Sequence, residues 1–396
     1  MTCKKDKNVR ILLCGPRTGK VVTGVALALD LLASGLRSSS INFRIVDASF
    51  WGDVSKSGTF SLRRSLETIL VIFAVWWNLL FCQIYYATMS TSAFGFVRDY
   101  LTVGFAKLFG HRTVLHLHGG GFEDFYTSQQ SWLRSLIRSN LRRTDTIIVL
   151  GELLKDQFYC VGEFVKPKLK VIPNGLTIGV DEPNPVSRKL LSEEKVELLY
   201  LSSLMPSKGF FDVIQAIVLL EKQKPGKYHL NLCGSFMDAK TETEIEVNSV
   251  ETLNSYLEKK GLKKAVTYYG QVLGAAKAEQ FKKAFLFLLP TNYPWEGQPL
   301  SIIEALAYSI PVITCQHKGI PELIQDGKNG FFVEPKSPLA IANTVIKITA
   351  NPDLYSRMSH AARQHYENNF TREVHLRRLI SAIMNIDEAK IPVLQF

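Results

Sequence analysis

The sequence contains little cysteine, and its cysteines form no pattern of a known kind of site. No CxxC pair occurs, and no cysteine lies with histidines at the spacing of metal ligands. This argues against a disulfide framework and a zinc module, and it is typical of small apolar residues in a reducing compartment. The six cysteines are Cys3, Cys14, Cys82, Cys160, Cys233 and Cys315.

Long apolar runs are missing as well. The most apolar stretch, ILVIFAVWWNLLFC at residues 69–82, is interrupted by Asn78 and is only about 14 residues long, whereas a membrane-spanning helix needs about 20. Two arginines precede it and two tryptophans lie within it, which favours a buried or interfacial helix over a span. The apolar run before Gly15 is too short for a signal peptide, so we predict a first strand there.

What the sequence does contain is the composition of a folded protein with an uneven charge. Its 396 residues are 46% hydrophobic and 21% charged, which excludes a disordered or fibrous chain and predicts two domains. Residues 1–170 carry 22 Lys+Arg and 12 Asp+Glu, whereas residues 171–396 carry 25 and 24. The excess positive charge therefore lies in the first half, and it indicates a nucleic acid or an anionic membrane surface as partner.

Short apolar runs alternate with helical patterns, which predicts βαβ units and parallel sheets. We expect two doubly wound α/β domains facing a cleft, with the chemistry on loops that follow the strands. The predicted organisation is an acceptor-binding domain at 1–172, a linker at 173–195, a donor-binding domain at 196–370 and a C-terminal helix at 371–396 that returns to the first domain. The predicted strands are 9–14, 41–46, 83–87, 113–117, 146–150, 170–172, 197–201, 229–233, 266–269, 286–289, 312–314 and 331–333. In the first half we predict helices between the strands, near 20–35, 61–80, 92–109, 129–141 and 151–159.

The loop after the first predicted strand, GPRTGKVVTG, runs from Gly15 to Gly24. It is not a nucleotide-triphosphate loop, because one residue is missing before Gly19-Lys20 and Val21 has no hydroxyl for a metal. A glycine-rich turn before a helix can still present N–H groups to an anion, although a plain tight turn is an equal alternative.

The segment VLHLHGGGFEDF ends a predicted strand with His116 and His118, which point to the same side. A metal pair has no third ligand nearby, so we favour contact of His118 with a polar ligand over metal binding. Gly119 and Gly120 would let the backbone approach that ligand closely. The alternative is a histidine that only ends the strand.

The most informative segment is NYPWEGQPLSIIEALAYSIPVI at residues 292–313. Glu296 lies in a loop before a helix, Pro299 suits its first turn, and Glu304 lies inside it among apolar residues. Each carboxylate can accept hydrogen bonds from two adjacent hydroxyls, so the pair suits a sugar and a ribose. The amides around Gly297 and Gln298 could then meet a diphosphate.

These features together resemble the family 4 retaining glycosyltransferases, which have the GT-B fold, along nearly the whole chain. EGQPLSIIE matches the E-x7-E motif of that family, and the ordered set of other segments agrees with it. These segments are the glycine-containing first loop, VLHLHG ending at 119, VIPNG at 171–175, LSSLMPSKGF at 201–210 and GIPELIQDGKNGFFVEP at 319–335.

The resemblance implies a site for a nucleotide diphosphate sugar. In the implied site Glu296 contacts the donor sugar and Glu304 contacts the ribose. Lys208 contacts the diphosphate, and His118 contacts the transferred sugar. Glu322 falls in the Gly-x-x-Glu segment near the donor. The full set of implied residues is His118, Glu296 and Lys208 as catalytic; Glu304, Gly297, Gln298, Pro299, Leu300, Ser203 and Glu322 as donor-binding; and Gly15, Gly24, Gly119 and Gly120 on the acceptor side.

One departure from the family pattern concerns the diphosphate. Ser203 stands where the family has an arginine, which leaves Lys208 as the motif cation unless Arg17 or Lys20 supplies another. The loss of a placed cation can cost a few kcal/mol of transition-state stabilisation. A non-catalytic GT-B protein that binds a nucleotide sugar or a partner is therefore the alternative function.

The resemblance implies sugar transfer with retention, without metal or other cofactor, to a lipid-linked glycan in bacterial surface polysaccharide assembly. The basic first domain predicts a peripheral position at the cytoplasmic face of the membrane and contact with anionic lipid. Nucleic acid is disfavoured as a partner, because the basic residues are interleaved with apolar helix faces. The basic residues in question are Arg63, Arg64, Arg134, Arg138, Arg142, Arg143, Lys166, Lys168 and Lys170.

Overall fold

The computed structural model describes residues 9–18, 23–49, 62–176, 195–237 and 247–391. The chain divides into two compact units. Unit 1 comprises Met1–Ile178 together with Phe370–Phe396, and unit 2 comprises Gly179–Asn369. Most of the predicted linker, residues 177–194, lies outside the described residues.

Unit 1 contains a parallel sheet of six strands with helices between them, as the alternation of apolar runs predicts. The strand order is β2-β1-β3-β4-β5-β6. The strands are β1 (Arg10–Gly15), β2 (Asn42–Asp47), β3 (Ile84–Thr88), β4 (Arg112–His116), β5 (Thr146–Val149) and β6 (Leu169–Val171), and the helices are α1 (Gly24–Ser38), α2 (Leu62–Leu79), α3 (Ala93–Leu108), α4 (Phe122–Thr127) and α5 (Ser131–Arg143).

Unit 2 contains a second parallel sheet of six strands, in the order β12-β11-β10-β7-β8-β9. Counted within the unit this is 6-5-4-1-2-3, the order of a dinucleotide-binding doubly wound fold. The strands are β7 (Val196–Leu201), β8 (Tyr228–Cys233), β9 (Val266–Gly270), β10 (Leu286–Leu289), β11 (Val312–Thr314) and β12 (Gly330–Phe332), and the helices are α6 (Phe210–Gln223), α7 (Val250–Lys259), α8 (Gly274–Lys283), α9 (Leu300–Ala307), α10 (Pro338–Thr349) and α11 (Pro352–Asn369).

The last helix, α12 (Arg372–Met384), packs against α1 in unit 1. Residues of β1 alternate between the two faces of the sheet, because successive side chains of a strand point to opposite sides. Leu12 belongs to the core beneath α2, α3 and α5, whereas Leu13 belongs to the core beneath α1 and α12. Arg112 fixes the end of α12, since its Nε donates to the carbonyl oxygen of Ile383 at 3.0 Å.

Two local predictions differ from the structure. The predicted helix at 151–159 is replaced by two 3₁₀ turns, Glu152–Leu154 and Asp156–Val161, in which the Leu154 amide bonds to the Gly151 carbonyl three residues back. Gly162, with φ of +133°, ends this run. Helix α4 follows the glycine run, where no helix is predicted. Cys160 is exposed, contrary to the small apolar interpretation of the cysteines.

The packing of α12 predicts an unusual sensitivity at Gly175. A Cβ there would lie 2.4 Å from the Cβ of His375, so Gly175→Ala overpacks this contact. We expect a loss of about 1–3 kcal/mol in the free energy of unfolding of unit 1. Urea unfolding in a Trp295→Phe background would measure it, because the remaining tryptophans belong to unit 1.

Gly104→Ala in α3 is the matched control. A Cβ at Gly104 would meet its nearest neighbour at 3.6 Å, an ordinary contact. Alanine favours a helix interior over glycine, so this variant should gain up to about 1 kcal/mol. Equal and small changes in the two variants would contradict the proposed contact between Gly175 and His375.

Candidate functional site

The strand order of unit 2 reverses direction at β7, which lies between β10 and β8. Ligands of doubly wound folds bind beyond the carboxyl ends of the strands at such a reversal, because the loops on either side run apart there. Lys208 follows β7 and Glu296 follows β10. The two residues predicted for a donor site therefore lie on the two loops of this switch point.

Lys208 ends the 3₁₀ turn Pro206–Lys208, which is held by backbone contacts on both sides. Gly209 follows with φ of +74°, and a Cβ there would lie 2.4 Å from the carbonyl oxygen of Pro290. Only glycine allows this close approach of the two loops. The buried Tyr200 hydroxyl lies 3.2 Å from the Ser203 carbonyl oxygen, to which it donates, and so anchors the start of the same loop.

Lys208 and Glu296 form an ion pair in a largely buried position. The Lys208 Nζ lies 2.5 Å from Glu296 Oε2, and their side chains are 14% and 8% exposed. Thr291 donates a hydrogen bond to the same carboxylate oxygen at 3.1 Å, and the Lys208 ammonium lies 4.6 Å from the centre of the Tyr293 ring. Each charge thus has a partner within the site, which offsets the cost of its desolvation.

Glu304 forms a second ion pair, with Lys277 of α8. Its side chain is 17% exposed, so Glu304 does not lie on a solvated face of its helix. Burial raises the pKa of the Glu304 carboxyl, and the Lys277 ammonium opposes this shift. A half-buried carboxylate with one cationic partner keeps further acceptor capacity for a ligand hydroxyl.

The segment between the two glutamates leads into α9. Gly297 and Gln298 are buried, and Leu300 is the first helical residue. Pro299 lies at the N-cap with ψ of 118° rather than in the first turn, since its extended backbone lies outside the helix. Its carbonyl oxygen accepts hydrogen bonds from the amides of Ile302 and Ile303.

Ser203 and Glu322 lie on two further loops of unit 2. Ser203 is half-buried after β7. Glu322 ends the 3₁₀ turn Ile320–Glu322 after β11 and is also half-buried. His317, just before that turn, lies with its Nε2 2.8 Å from the Tyr293 carbonyl oxygen, which connects this loop to the loop of Glu296.

The predicted acceptor-side loop of unit 1 is described in part. Gly15 ends β1, and a Cβ there would lie 2.7 Å from Thr88 Oγ1 at the end of β3. Arg17 donates from its Nε to Asp30 at 2.7 Å, so its charge is already paired. Gly24 begins α1, whereas Lys20 lies outside the described residues.

The predicted His118 belongs to a cluster of three histidines in unit 1. It lies two residues beyond β4, and its ring centre is 3.9 Å from that of His116, as the same-side prediction requires. Gly119 and Gly120 follow it, with Gly120 buried. His375 of α12 completes the cluster and lies with its Nδ1 2.6 Å from the Pro173 carbonyl oxygen.

The imidazoles of this cluster are held neutral. Burial lowers the pKa of His118 to about 3 and the pKa of His375 to about 4, and it lowers the pKa of His116 further below its usual value. The Nε2 atom of each ring is buried and has no hydrogen-bond partner among the described residues. Within those residues no group of three His, Cys, Asp or Glu is arranged to hold a metal ion.

The arrangement in unit 2 offers acceptors for hydroxyl groups beside a buried cation, at the loops where doubly wound folds bind nucleotides. Residues 184–365 match the family model of glycosyl transferases group 1. The uncharacterized glycosyltransferase MJ1069 of Methanocaldococcus jannaschii is 23% identical over 67% of this chain and 67% of its own length. The amylovoran biosynthesis glycosyltransferase AmsK of Erwinia amylovora is 25% identical over 50% of this chain and 47% of its own length. The chain thus spans about half of AmsK.

The crystal structure of Anabaena Alr3699/HepE in complex with UDP has a TM-score of 0.73 at 17% identity, over 96% of this chain and 100% of that one. These matches support a group 1 glycosyltransferase. The fold is GT-B, as the motifs predict.

Two features of the candidate sites were not predicted from the sequence. Lys277 lies 27 positions before Glu304 on a different helix and belongs to no motif. His375 is distant in sequence from His118, and only the packing of α12 in unit 1 brings it to the cluster. In the sequence, only the predicted return of the C-terminal helix to the first domain indicated that His375 could lie near His118.

The neutral histidine cluster predicts a loss of stability on acidification. The unfolded chain takes up protons below about pH 6.5, whereas buried His375 resists protonation until about pH 4. The contribution of His375 to the free energy of unfolding should therefore fall by about 2 kcal/mol between pH 7 and pH 5. Urea unfolding of unit 1 at both pH values would show a smaller loss for His375→Asn, whose amide can still donate to the Pro173 carbonyl.

The exposed His360 provides the control for this measurement. His360→Asn should reproduce the pH dependence of the original protein. An unchanged pH dependence in His375→Asn would show that the buried ring takes no part in the acid sensitivity.

Proposed function

We propose that the protein is a family 4 glycosyltransferase that transfers a sugar from a UDP- or GDP-sugar with retention of anomeric configuration. The observation that carries the proposal is the buried Lys208–Glu296 pair at the switch point of unit 2, together with the Lys277–Glu304 pair that joins α8 to α9. Both pairs combine acceptors for hydroxyl groups with cations for phosphate, which is the chemistry a nucleotide sugar presents.

The Lys208–Glu296 pair suits a donor because each partner can give up its contact with the other and contact the substrate instead. In the free protein the lysine and the carboxylate neutralise each other at 2.5 Å. On donor binding, Glu296 accepts hydrogen bonds from two sugar hydroxyls, and Lys208 turns toward the diphosphate. The lysine then stabilises the negative charge that develops on the leaving nucleoside diphosphate, in a site that water enters poorly.

Glu304 is the proposed ribose contact. Its half-buried carboxylate lies inside α9, where it can accept bonds from the two neighbouring ribose hydroxyls. The Lys277 ammonium opposes the rise that burial causes in the pKa of this carboxyl. The resemblance assigns His118 to the transferred sugar, and this role stays a prediction supported by the unpartnered Nε2 of its ring.

The acceptor is proposed to be a lipid-linked glycan of bacterial surface polysaccharide assembly, handled by a protein peripheral to the cytoplasmic face of the membrane. The relative AmsK is named for the biosynthesis of amylovoran. None of the helices in the described parts of the chain is long and apolar enough to cross a bilayer.

Glu296→Gln and Lys208→Met should each lower kcat/KM by about a hundredfold or more, because each removes one charge of the reacting site. Glu304→Gln should mainly raise the KM for the donor, by about tenfold, since it weakens a hydrogen bond to the part that does not react. The measurement is release of nucleoside diphosphate from UDP- and GDP-sugars with a lipid-linked acceptor. NMR of the product reports the anomeric configuration.

The exposed Lys283–Glu279 pair of α8 supplies the matched controls Lys283→Met and Glu279→Gln, which should stay within about twofold of the original activity. Full activity in both Glu296→Gln and Lys208→Met would contradict the site. Stabilisation by a nucleotide sugar in a thermal shift without turnover would support the alternative of a non-catalytic binding protein.

Transfer without a metal ion is part of the proposal, since Lys208 and the amides at the start of α9 can neutralise the leaving diphosphate. Turnover in EDTA should therefore equal turnover in Mg²⁺ or Mn²⁺ within about twofold. A tenfold or larger loss in EDTA, restored by either ion, would show that a metal supplies charge that Lys208 does not.

A further inference from the structure

Helix α2 of unit 1 is apolar on the side that faces away from the core as well as on the side that packs. Ile72, Val75 and Leu79 are buried in the usual way. The opposite side of a surface helix is normally polar. Here that side exposes large apolar side chains, with Leu70 67% and Trp77 65% exposed; the set is Leu66, Ile69, Leu70, Phe73, Trp77 and Leu80.

Helix α3 packs against α2 and continues this surface. Trp76 stacks on Phe105 at 5.0 Å between ring centres, and its Nε1 donates to the Leu101 carbonyl oxygen at 3.4 Å. The side chains of α3 that are exposed recur at helical spacing and are also apolar: Phe94, Val97, Leu101 and Leu108. We refer to these four residues, the five exposed residues of α2 and Leu80 just beyond its end as the apolar face.

Helix α5 packs against α3 and carries a basic stripe. Arginines and serines alternate at helical spacing along one side of it and line an open groove of about 670 Å³; they are Ser131, Arg134, Ser135, Arg138, Ser139 and Arg142. Arg143 extends the stripe toward α3, since its guanidinium lies 5.5 Å from the centre of the Tyr100 ring. Among the described residues, none of these four arginines is paired with a carboxylate.

The structure separates this stripe from the other basic residues of unit 1. Lys168 donates to the carbonyl oxygens of Leu141 and Thr144 at 3.0 and 2.7 Å, and therefore caps the end of α5. Lys166 is paired with Glu163. The side chains of Arg63 and Arg64 lie outside the described residues. Within the predicted lipid-binding set, the four arginines are the cations that share one helix and line one groove.

We propose that the apolar face and the arginine stripe together bind the surface of an anionic bilayer. The apolar face would lie among the acyl chains near the headgroups, with Trp77 at the boundary, and the arginines would contact lipid phosphates. Two neighbouring signals, one apolar and one cationic, are what reversible binding to a membrane requires. The stripe has no acidic residue within it, and this charge favours a bilayer over a second copy of the same basic surface.

Flotation with liposomes tests the proposal independently of catalysis. The original protein should bind vesicles of phosphatidylcholine with 30% phosphatidylglycerol at least tenfold more tightly than phosphatidylcholine alone, with a decrease in high salt. Arg134→Gln, Arg138→Gln and Arg142→Gln combined should remove most of this preference and leave the affinities for the two kinds of vesicle within about threefold of each other. Leu70→Ser, Phe73→Ser and Trp77→Ser combined should weaken binding to both kinds of vesicle.

Two sets of exposed residues in unit 2 provide matched controls. Leu273→Ser with Leu339→Ser removes exposed apolar surface, and Lys222→Gln with Lys224→Gln and Lys264→Gln removes three charges. Both control variants should bind vesicles as the original protein does. Circular dichroism and thermal unfolding would confirm that the substituted proteins are folded, which we expect because every changed side chain of the apolar face is exposed.

Insertion of the apolar face gives a second, independent measurement. Lipids with a quenching group near the headgroup should reduce tryptophan fluorescence in the original protein more than in Trp77→Phe. Equal binding to neutral and anionic vesicles, or equal quenching in both proteins, would overturn the proposal. The apolar face would instead bind a second copy of the chain if the protein did not float with vesicles but associated with itself in sedimentation velocity. That association would increase with concentration and would be lost in the combined Leu70→Ser, Phe73→Ser and Trp77→Ser variant.

Discussion

The candidate donor site of unit 2 depends on one buried ion pair. A lysine or a glutamate buried alone would lose several kcal/mol of hydration, and the pair survives only because each partner neutralises the other. This requires two loops from different strands to meet within hydrogen-bond distance. The approach of Gly209 to the Pro290 carbonyl and the anchoring of the Lys208 loop by Tyr200 both serve this requirement. The strand order supplies the rest, since only neighbouring strands at a reversal bring two such loops to one edge.

The two units use similar sheets for different electrostatics. Unit 2 places charged pairs on its loops and helices, whereas unit 1 places three uncharged imidazoles at the end of β4, just beyond it and on α12. Neutral rings with unpartnered nitrogen atoms can donate or accept a hydrogen bond without bringing charge to a ligand. Unit 1 carries its excess positive charge elsewhere, with four arginines on α5. Net charge and site chemistry are therefore separate properties of this unit.

The fold could be predicted from the sequence because its information is local. Apolar runs bounded by turns placed all twelve strands within one or two residues, and E-x7-E placed both glutamates on the loop and helix that carry them. What could not be predicted depends on contacts between distant segments. Lys277 of α8 pairs with Glu304 of α9, and nothing near Lys277 in the sequence marks it. The helix predicted at 151–159 is wrong, because this segment forms two 3₁₀ turns before Gly162.

Helix α12 has a consequence for the order in which the chain folds. Leu379, Ile380 and Ile383 fill one core of unit 1, although some 190 residues of unit 2 separate them from the rest of that unit. During synthesis, unit 2 is a continuous segment and can fold as soon as it leaves the ribosome, whereas the core beneath α1 must wait for the last helix. Until then the apolar side of α1 stays open to water. Unit 1 is therefore the first to be made and the last to be finished.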